Sequence, residues 1–279
     1  MWWILGIVAL AILVALLYWQ LIVAEGAYLG PRVVALLYDL SAHVYDRIKH
    51  FDSGYEQYFL ATPLTTALFS FPNPLVLDVA TGTARMAHTL FHEVGFRGRV
   101  VGVDLSRKML EQAVQKTARW KDRTLLLWDD ASRLPFPADT FEAVTCLEAL
   151  EFLPNPDGVL QEMVRVLRPG GLFLTTNRIG TDAKLMPGRT FTTEEIERKL
   201  QEFELEMIQV RPWQEDYDLV WAVKPGVCTP QTPRRVDDIL RCPRCQSSVT
   251  RTEEAFRCDN GHSIPIASDG VVEMVRVRG

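Results

Sequence analysis

Apolar and polar positions follow a sequence of different patterns along the chain. Residues 2–24, WWILGIVALAILVALLYWQLIVA, carry no charged side chain. As a helix at ~1.5 Å per residue they extend about 35 Å, enough for a hydrocarbon core. Residues 26–73 contain YDLSAHVYDRIKHF, where Leu37, Leu40, Val44, Ile48 and Phe51 recur at helical spacing, so this stretch predicts a helical cover packed on a core. Pro72 and Pro74 then punctuate the chain. From residue 75 strand-like and helix-like patterns alternate. VLDVA (76–80) reads as a buried strand, TGTA as a sharp turn and RMAHTL as the start of a helix. RVVGVDL (99–105) is a second strand, and Ser106 caps a helix with Met109, Leu110, Ala113, Val114 and Thr117 on one face. TLLLWDD (124–130) is a third strand, FEAVTCLEAL (141–150) contains a fourth, and VLQEMVRVL (159–167) is a helix that RPGG stops before a fifth strand, LFLTTN. FTTEEIERKL (191–200) predicts a threonine-capped helix, and ELEMIQVRPW with DYDLVWAVKP a terminal hairpin.

This alternation predicts an α/β fold, a Rossmann-like doubly wound parallel sheet with helices on both faces and ligands at the carboxyl ends of its strands. Four segments follow: 1–25 an anchor, 26–224 the α/β domain with its cover at 26–73, 225–239 a linker opened by the proline-rich KPGVCTPQTPRR, and 240–279 a small terminal module.

Composition adds limits. The chain has 279 residues and a net charge of −5, enough length for one α/β core and appendages. Residues 25–227 hold 22 basic against 28 acidic side chains and 228–279 hold 8 against 7, so no segment has the basic balance of a DNA- or RNA-binding domain. For residues 2–24 the competing readings are a cleaved signal peptide and a buried core helix. The run lacks a basic n-region and is long for an h-region, which favours a single membrane span. Trp2, Trp3, Tyr18 and Trp19 lie near its ends, and Arg32, Arg47 and Lys49 follow it, which predicts a cytoplasmic domain.

The turn after the first strand raises the chemical question. A dinucleotide fingerprint needs three glycines there and only Gly82 is present. Asp78, Asp104 and Asp130 fall at three successive strand ends. Alone, each reads equally well as a solvated loop acid. Together they suit an adenosyl ligand without phosphates: Asp104, 26 residues after Asp78, for the ribose hydroxyls, and Asp130 for an exocyclic amine.

LDVATGTA, GVDLSRKMLEQA, DDASRLPFPADTFEAVTCLEALEFL and RVLRPGGLFLTTNR resemble the successive motifs of class I S-adenosylmethionine-dependent methyltransferases, over about residues 38–224. Within that superfamily the chain is similar to the branch that includes the quinone-biosynthesis methyltransferases, where an alanine also follows the strand-end acid by two positions. The resemblance implies a seven-stranded sheet and a set of roles. Asp78, Val79, Ala80, Thr81, Gly82 and Thr83 would embrace the methionine end of S-adenosylmethionine. Asp104 would bind the ribose with Leu105 beside the adenine, Asp130 and Ala131 would fix the adenine, and Cys146 and Leu147 would line the methyl-donor side. Ala84 and Arg85 stand where relatives often have glycine and aspartate, and Phe152 where many have histidine. No catalytic base is named; Glu148, Glu151, His88 and His92 qualify only as titratable groups, and the histidines read as solvated helix positions.

In the tail, CPRCQSSVTRTEEAFRCDNGH puts two residues between Cys242 and Cys245, twelve between Cys245 and Cys258, and three between Cys258 and His262. Two such pairs suit tetrahedral Zn2+, and four protein ligands leave no open position, so the site would be structural. Unrelated thiols or a disulfide are the alternatives, the latter disfavoured in the cytoplasm. Cys146 and Cys228 lie outside the set. The tail resembles the zinc ribbons of guanine-N1 ribosomal RNA methyltransferases and of small methyltransferase-activating partners. The expectation is therefore a membrane-anchored methyltransferase acting on a lipophilic small molecule, a quinone precursor or lipid. The ribbon supports RNA as the alternative acceptor, and a non-catalytic scaffold is the third reading.

Overall fold

A computed structural model describes residues 2–227, 229 and 236–278. The apolar runs become the centre of one sheet. β1 (Leu75–Val79), β2 (Arg99–Asp104), β3 (Thr124–Trp128), β4 (Phe141–Cys146), β5 (Leu167–Arg178), β6 (Glu206–Gln214) and β7 (Tyr217–Val223) take the order β3-β2-β1-β4-β5-β7-β6. The first five are parallel, and β7 runs antiparallel between β5 and β6. Alternate residues feed two cores: Leu77, Val101 and Val144 pack with one set of helices, and Val76, Val100 and Ala143 with the other. This is the seven-stranded, Rossmann-like methyltransferase fold.

The N-terminal helix α1 (Trp2–Tyr18) continues through a π turn, Trp19–Val23. Together Trp2–Val23 form 22 helical residues of mean hydropathy 2.5, long and apolar enough to cross a membrane, with none of the most apolar stretch buried. The cover that follows differs from the single amphipathic helix expected. It breaks after α2 (Pro31–Ser41) into α3 (Tyr45–Lys49), α4 (Ser53–Glu56) and α5 (Thr62–Ala67). Leu40 and Ile48 of the expected apolar stripe are 67% and 63% exposed. The polar residues turn inward instead. Asp39 Oδ1 accepts from Ser106 Oγ at 2.5 Å and from the Lys108 amide at 3.0 Å, and Asp46 Oδ1 accepts from Thr83 Oγ1 at 2.6 Å.

Helices α6 (Arg85–His92), α7 (Arg107–Thr117), α8 (Pro156–Val166), α9 (Gly180–Lys184) and α10 (Thr193–Glu202) complete the domain. Ser106 caps α7 through the Met109 amide, and Thr192 with Glu195 forms a reciprocal capping box on α10. Two boundaries differ from expectation. α8 begins at Pro156, because Asn155 accepts from the Gly158 amide and proline suits the first helical position. RPGG is an irregular part of β5 rather than a stop before it: Gly170, at φ +73°, donates its amide to Lys224 O at 2.7 Å and stays paired to β7's continuation.

The terminal module is a three-stranded antiparallel sheet, β8 (Val249–Arg251), β9 (Ala255–Cys258) and β10 (Ser263–Pro265), between short α11 (Val236–Ile239) and α12 (Val275–Arg278). It is seated on the free edge of the main sheet. The Val272 amide donates to Leu126 O at 3.0 Å, the Trp128 amide donates to Val272 O at 2.9 Å, and the Arg241 amide donates to Pro135 O at 2.8 Å. Leu240, Phe256, Ile264 and Val272 share one core with Leu127 and Phe136. Residues 228 and 230–235 of the expected linker, Cys228 among them, lie outside the described residues.

Candidate functional site

The turn after β1, Ala80 to Ala84, folds back over the carboxyl end of β2. Ala80, Gly82 and Ala84 all have left-handed φ, at +53°, +53° and +62°. Two alanines thus hold conformations that glycine adopts without cost, a strain characteristic of binding loops. The turn can lie this low because β2 carries Gly102 beneath it; a Cβ there would stand 2.8 Å from Thr81 Cγ2. The Thr81 amide donates to Val103 O at 3.0 Å. The Asp104 carboxylate clasps the arrangement, with Oδ2 accepting the Gly82 amide and Oδ1 the Ser106 amide, both at 2.7 Å.

A cleft of about 790 Å³ opens beside this turn. Its polar end is lined by Gly82, Asp104, Leu105, Ser106, Asp129, Asp130 and Ala131, and its apolar end by Pro31, Val34, Ala35 and Tyr38 of the cover with Ala149, Phe152, Leu153 and Pro154. A second cleft of about 370 Å³ adjoins it, lined by Asp78, Thr81, Thr83, Arg85 and Met86; Tyr45, Ala80, Gly82, Leu147 and Glu148 line both. The acids fit an adenosyl group and the turn fits an amino-acid end.

Charge is arranged unevenly across the two clefts. Burial raises Asp78 to about 6, although Thr145 and Thr81 both donate to it at 2.6 Å. Burial likewise raises Asp104 to about 6, opposed by the Ser106 and Gly82 amides. Glu148, at φ +50°, is held below the usual carboxylate range: burial pushes it up, but Arg85 and Lys49 outweigh that. Arg85 bridges Glu56 and Glu148, Lys49 Nζ lies 2.9 Å from Glu148, and the Arg85 guanidinium sits 4.1 Å from the Phe51 ring. Arg85 is therefore the centre of a buried ion network that walls the smaller cleft. Burial raises the Tyr38 and Tyr45 phenols, which remain protonated donors at neutral pH.

Of the residues assigned from sequence, Ala80, Gly82, Asp104, Leu105, Asp130, Ala131 and Leu147 line the larger cleft, and Asp78, Thr81 and Thr83 the smaller. Val79 and Cys146 line neither; both are fully buried in the sheet core, where the strand alternation turns them away from the ligand side. His88 and His92 pack around Trp120 on α6, and Glu151 accepts from Tyr217 at 2.5 Å, all outside both clefts. Phe152 contributes ring surface to the apolar end, edge-on to Tyr38 at 6.2 Å. Sequence reasoning missed Tyr38, Tyr45 and Asp129. Asp129 carried a readable signal as the first acid of the Asp129-Asp130 pair; Tyr38 reaches the cleft from the inner face of α2, and Tyr45 from α3 beyond the break that follows α2.

Cys242, Cys245, Cys258 and His262 converge, with ligand atoms all within 4.8 Å of one another. Cys245 Sγ is 3.7 Å from Cys258 Sγ, and His262 Nδ1 is 3.5 Å from Cys242 Sγ and 3.4 Å from Cys258 Sγ. Bonds of ~2.3 Å to sulfur and ~2.1 Å to nitrogen give tetrahedral edges of about 3.6–3.8 Å, close to these three separations, and the chemistry of the donor set suits a zinc ion. Cys258 ends β9 and His262 precedes β10, so the same ion would staple the small sheet.

Comparison with known proteins agrees with this geometry. Residues 76–171 match a family described as "Methyltransferase domain". The chain is 43% identical over 96 residues to the demethylmenaquinone methyltransferase of Staphylococcus epidermidis, a match covering 34% of this chain and 39% of that protein. It is 31% identical over 145 residues to the 2-phytyl-1,4-naphtoquinone methyltransferase of Synechococcus elongatus, covering 51% of this chain and 62% of the relative. The chain thus spans roughly two to three fifths of the curated relatives it matches. Among solved structures, a SAM-dependent methyltransferase from Aquifex aeolicus superposes with a TM-score of 0.50 at 20% identity, over 63% of this chain and 95% of that one.

Proposed function

We propose that this chain is an S-adenosylmethionine-dependent methyltransferase, anchored to a bilayer by residues 2–24 with its domain on the cytoplasmic side, and that its methyl acceptor is a lipophilic molecule of the quinone-precursor or lipid class. The observation that carries the cofactor assignment is the Asp104 carboxylate, fixed at the end of β2 by the Gly82 and Ser106 amides and facing the larger cleft. Its remaining lone pairs accept from the two ribose hydroxyls. Asp130, held by the Ser132 amide at 2.8 Å, takes the adenine amine. The turn from Ala80 to Thr83 meets the methionine portion, closed off by the Arg85–Glu148 network.

S-adenosylmethionine supplies an electrophilic methyl group on a sulfonium. The protein's part is alignment and exclusion of water: Leu147, Ala149, Phe152, Leu153 and Tyr38 give the acceptor an apolar seat beside the turn. An ionised enol or phenol acceptor brings its own nucleophile and needs no protein base, consistent with histidines that lie outside both clefts. The acceptor class rests on that apolar seat, on the exposed apolar N-terminal helix and on the quinone methyltransferases among the relatives.

The Cys242–Cys245–Cys258–His262 cluster holds structural zinc in this reading. The ribbon braces the edge of β3, the strand that delivers Asp129 and Asp130. The test of function is transfer of radiolabel from S-adenosylmethionine to membrane lipid extracts by full-length protein. Label confined to RNA would move the assignment to the alternative acceptor, and absence of transfer to every fraction would leave the scaffold reading.

A further inference from the structure

The end of the apolar helix is built into the wall of the cleft. At the π turn, Trp19 donates its indole N–H to Leu185 O at 2.9 Å, and Tyr28 its hydroxyl to Pro187 O at 2.9 Å. Arg189 then joins both sides: one guanidinium nitrogen donates to Ala27 O at 2.6 Å, the other to Leu153 O at 2.5 Å. Ala24 and Ala27 share a small core with Phe152 and Met186, against which Val34 packs. Phe152, Leu153 and Val34 are also cleft residues. A single layer of side chains therefore separates the end of the helix from the apolar end of the cleft, and the helix is docked rather than hung on a flexible tether.

Helix α2, which follows immediately, is apolar on two opposite faces. Pro31, Val34, Ala35 and Tyr38, at successive helical spacings, wall the cleft. On the other side Leu36 and Leu40 are 56% and 67% exposed, with Leu29 just ahead of the helix 54% exposed. A surface helix of a water-soluble domain carries a polar outer face. Here the outer face continues the apolar surface of Trp2–Val23 across a short connection whose backbone is pinned to Arg189.

We infer that α2 lies in the bilayer interface as a two-faced lid, its leucines in lipid and its inner face on the acceptor, so that the acceptor passes between the bilayer and the cleft beside α2 without crossing water. This deepens the proposed function and rests on its bilayer anchor. The geometry lets the reactive ring of a lipophilic acceptor reach the methyl donor while its tail remains among the lipids.

Photo-crosslinking of full-length protein in phosphatidylcholine/phosphatidylglycerol vesicles tests this. A benzophenone amino acid is placed in turn at Leu36, Leu40, Leu13, Tyr58 and Val94. Lipid adducts at Leu13, Leu36 and Leu40 and none at the exposed Tyr58 and Val94 are expected. Adducts at Leu13 alone would overturn the lid while leaving the anchor intact, and no adducts even at Leu13 would overturn both. A second measurement uses L36E/L40E. Cofactor affinity should stay within about twofold of the parent, since neither leucine lines the cleft. Turnover of a long-chain prenylated 1,4-naphthoquinol in vesicles should fall about tenfold or more, and that of a short-chain, water-soluble naphthoquinol less than about twofold. Equal losses on both acceptors would contradict the inference.

Discussion

The Asp104 carboxylate accepts the Gly82 amide at 2.7 Å, joining the end of β2 to the turn that follows β1. One acid therefore both shapes the binding turn and presents lone pairs to the cleft. Replacing it should damage binding through both effects. Charge-assisted hydrogen bonds contribute about 1.5–3 kcal/mol each, so Asp104→Ala should weaken S-adenosylmethionine binding by about tenfold or more in calorimetry. Unchanged affinity would place the ribose elsewhere.

Asp104 and Asp78, both raised to about 6 by burial, predict a pH dependence of binding. The carboxylate form dominates above that value, so affinity should be full at pH 7.5 and decline as pH falls through 6. Asp104→Asn should bind weakly with a flatter profile. Stability has the opposite sign. A folded value of about 6 against an ordinary 3.8 means the ligand-free protein gains stability at these sites as pH falls from 7 toward 4.

Thr81 sits on Gly102, so the height of the turn over β2 depends on that missing side chain. In Gly102→Ala the new Cβ meets Thr81 Cγ2 at 2.8 Å and Leu126 Cδ2 at 3.0 Å. Overpacking of this kind costs about 1–3 kcal/mol, measurable by denaturant unfolding. The turn should be displaced enough to lower cofactor affinity further than a distant mutation of equal stability cost.

Val272 pairs with Leu126 and Trp128, and Asp269 lies 2.7 Å from Arg107, the first residue of α7. The ribbon thereby touches both β3 and the start of α7, the elements that flank the polar end of the larger cleft. Purified protein should contain about one equivalent of zinc. Chelation, or Cys258→Ser, should release it and lower both the thermal midpoint and cofactor affinity, because ribbon and sheet share a core. A chelated protein with unaltered cofactor binding would make the ribbon an independent module.

Much of this was legible in sequence because local pattern decided it. β1, β2 and the hairpin of β6 and β7 follow from apolar runs, and α7 and α10 from their caps. The cleft lining was legible where residues stand at strand ends, as at Asp104 and Asp130. Tertiary context decided the rest. The 38–51 stripe reads as one buried face, yet Asp39 and Asp46 satisfy the Ser106 and Thr83 hydroxyls, while Leu40 and Ile48 point outward. RPGG has the composition of a helix stop, but its amides and carbonyls find Lys224 and the strand continues. Ala80 and Ala84 conceal positive φ behind a residue type that rarely adopts it, so the turn looked poorer in glycine-like positions than it is. Val79 and Cys146 were assigned by position in a motif, whereas the pleat of their strands buries them.

The central claim is methyl transfer to a membrane-dissolved acceptor. Full-length protein, reconstituted in vesicles containing total membrane lipid and supplied with methyl-labelled S-adenosylmethionine, cytosolic RNA and soluble protein, tests it in one reaction. The account predicts label in the organic-soluble fraction, abolished by Asp104→Ala. Label confined to RNA or protein, or no transfer with cofactor bound, would contradict it.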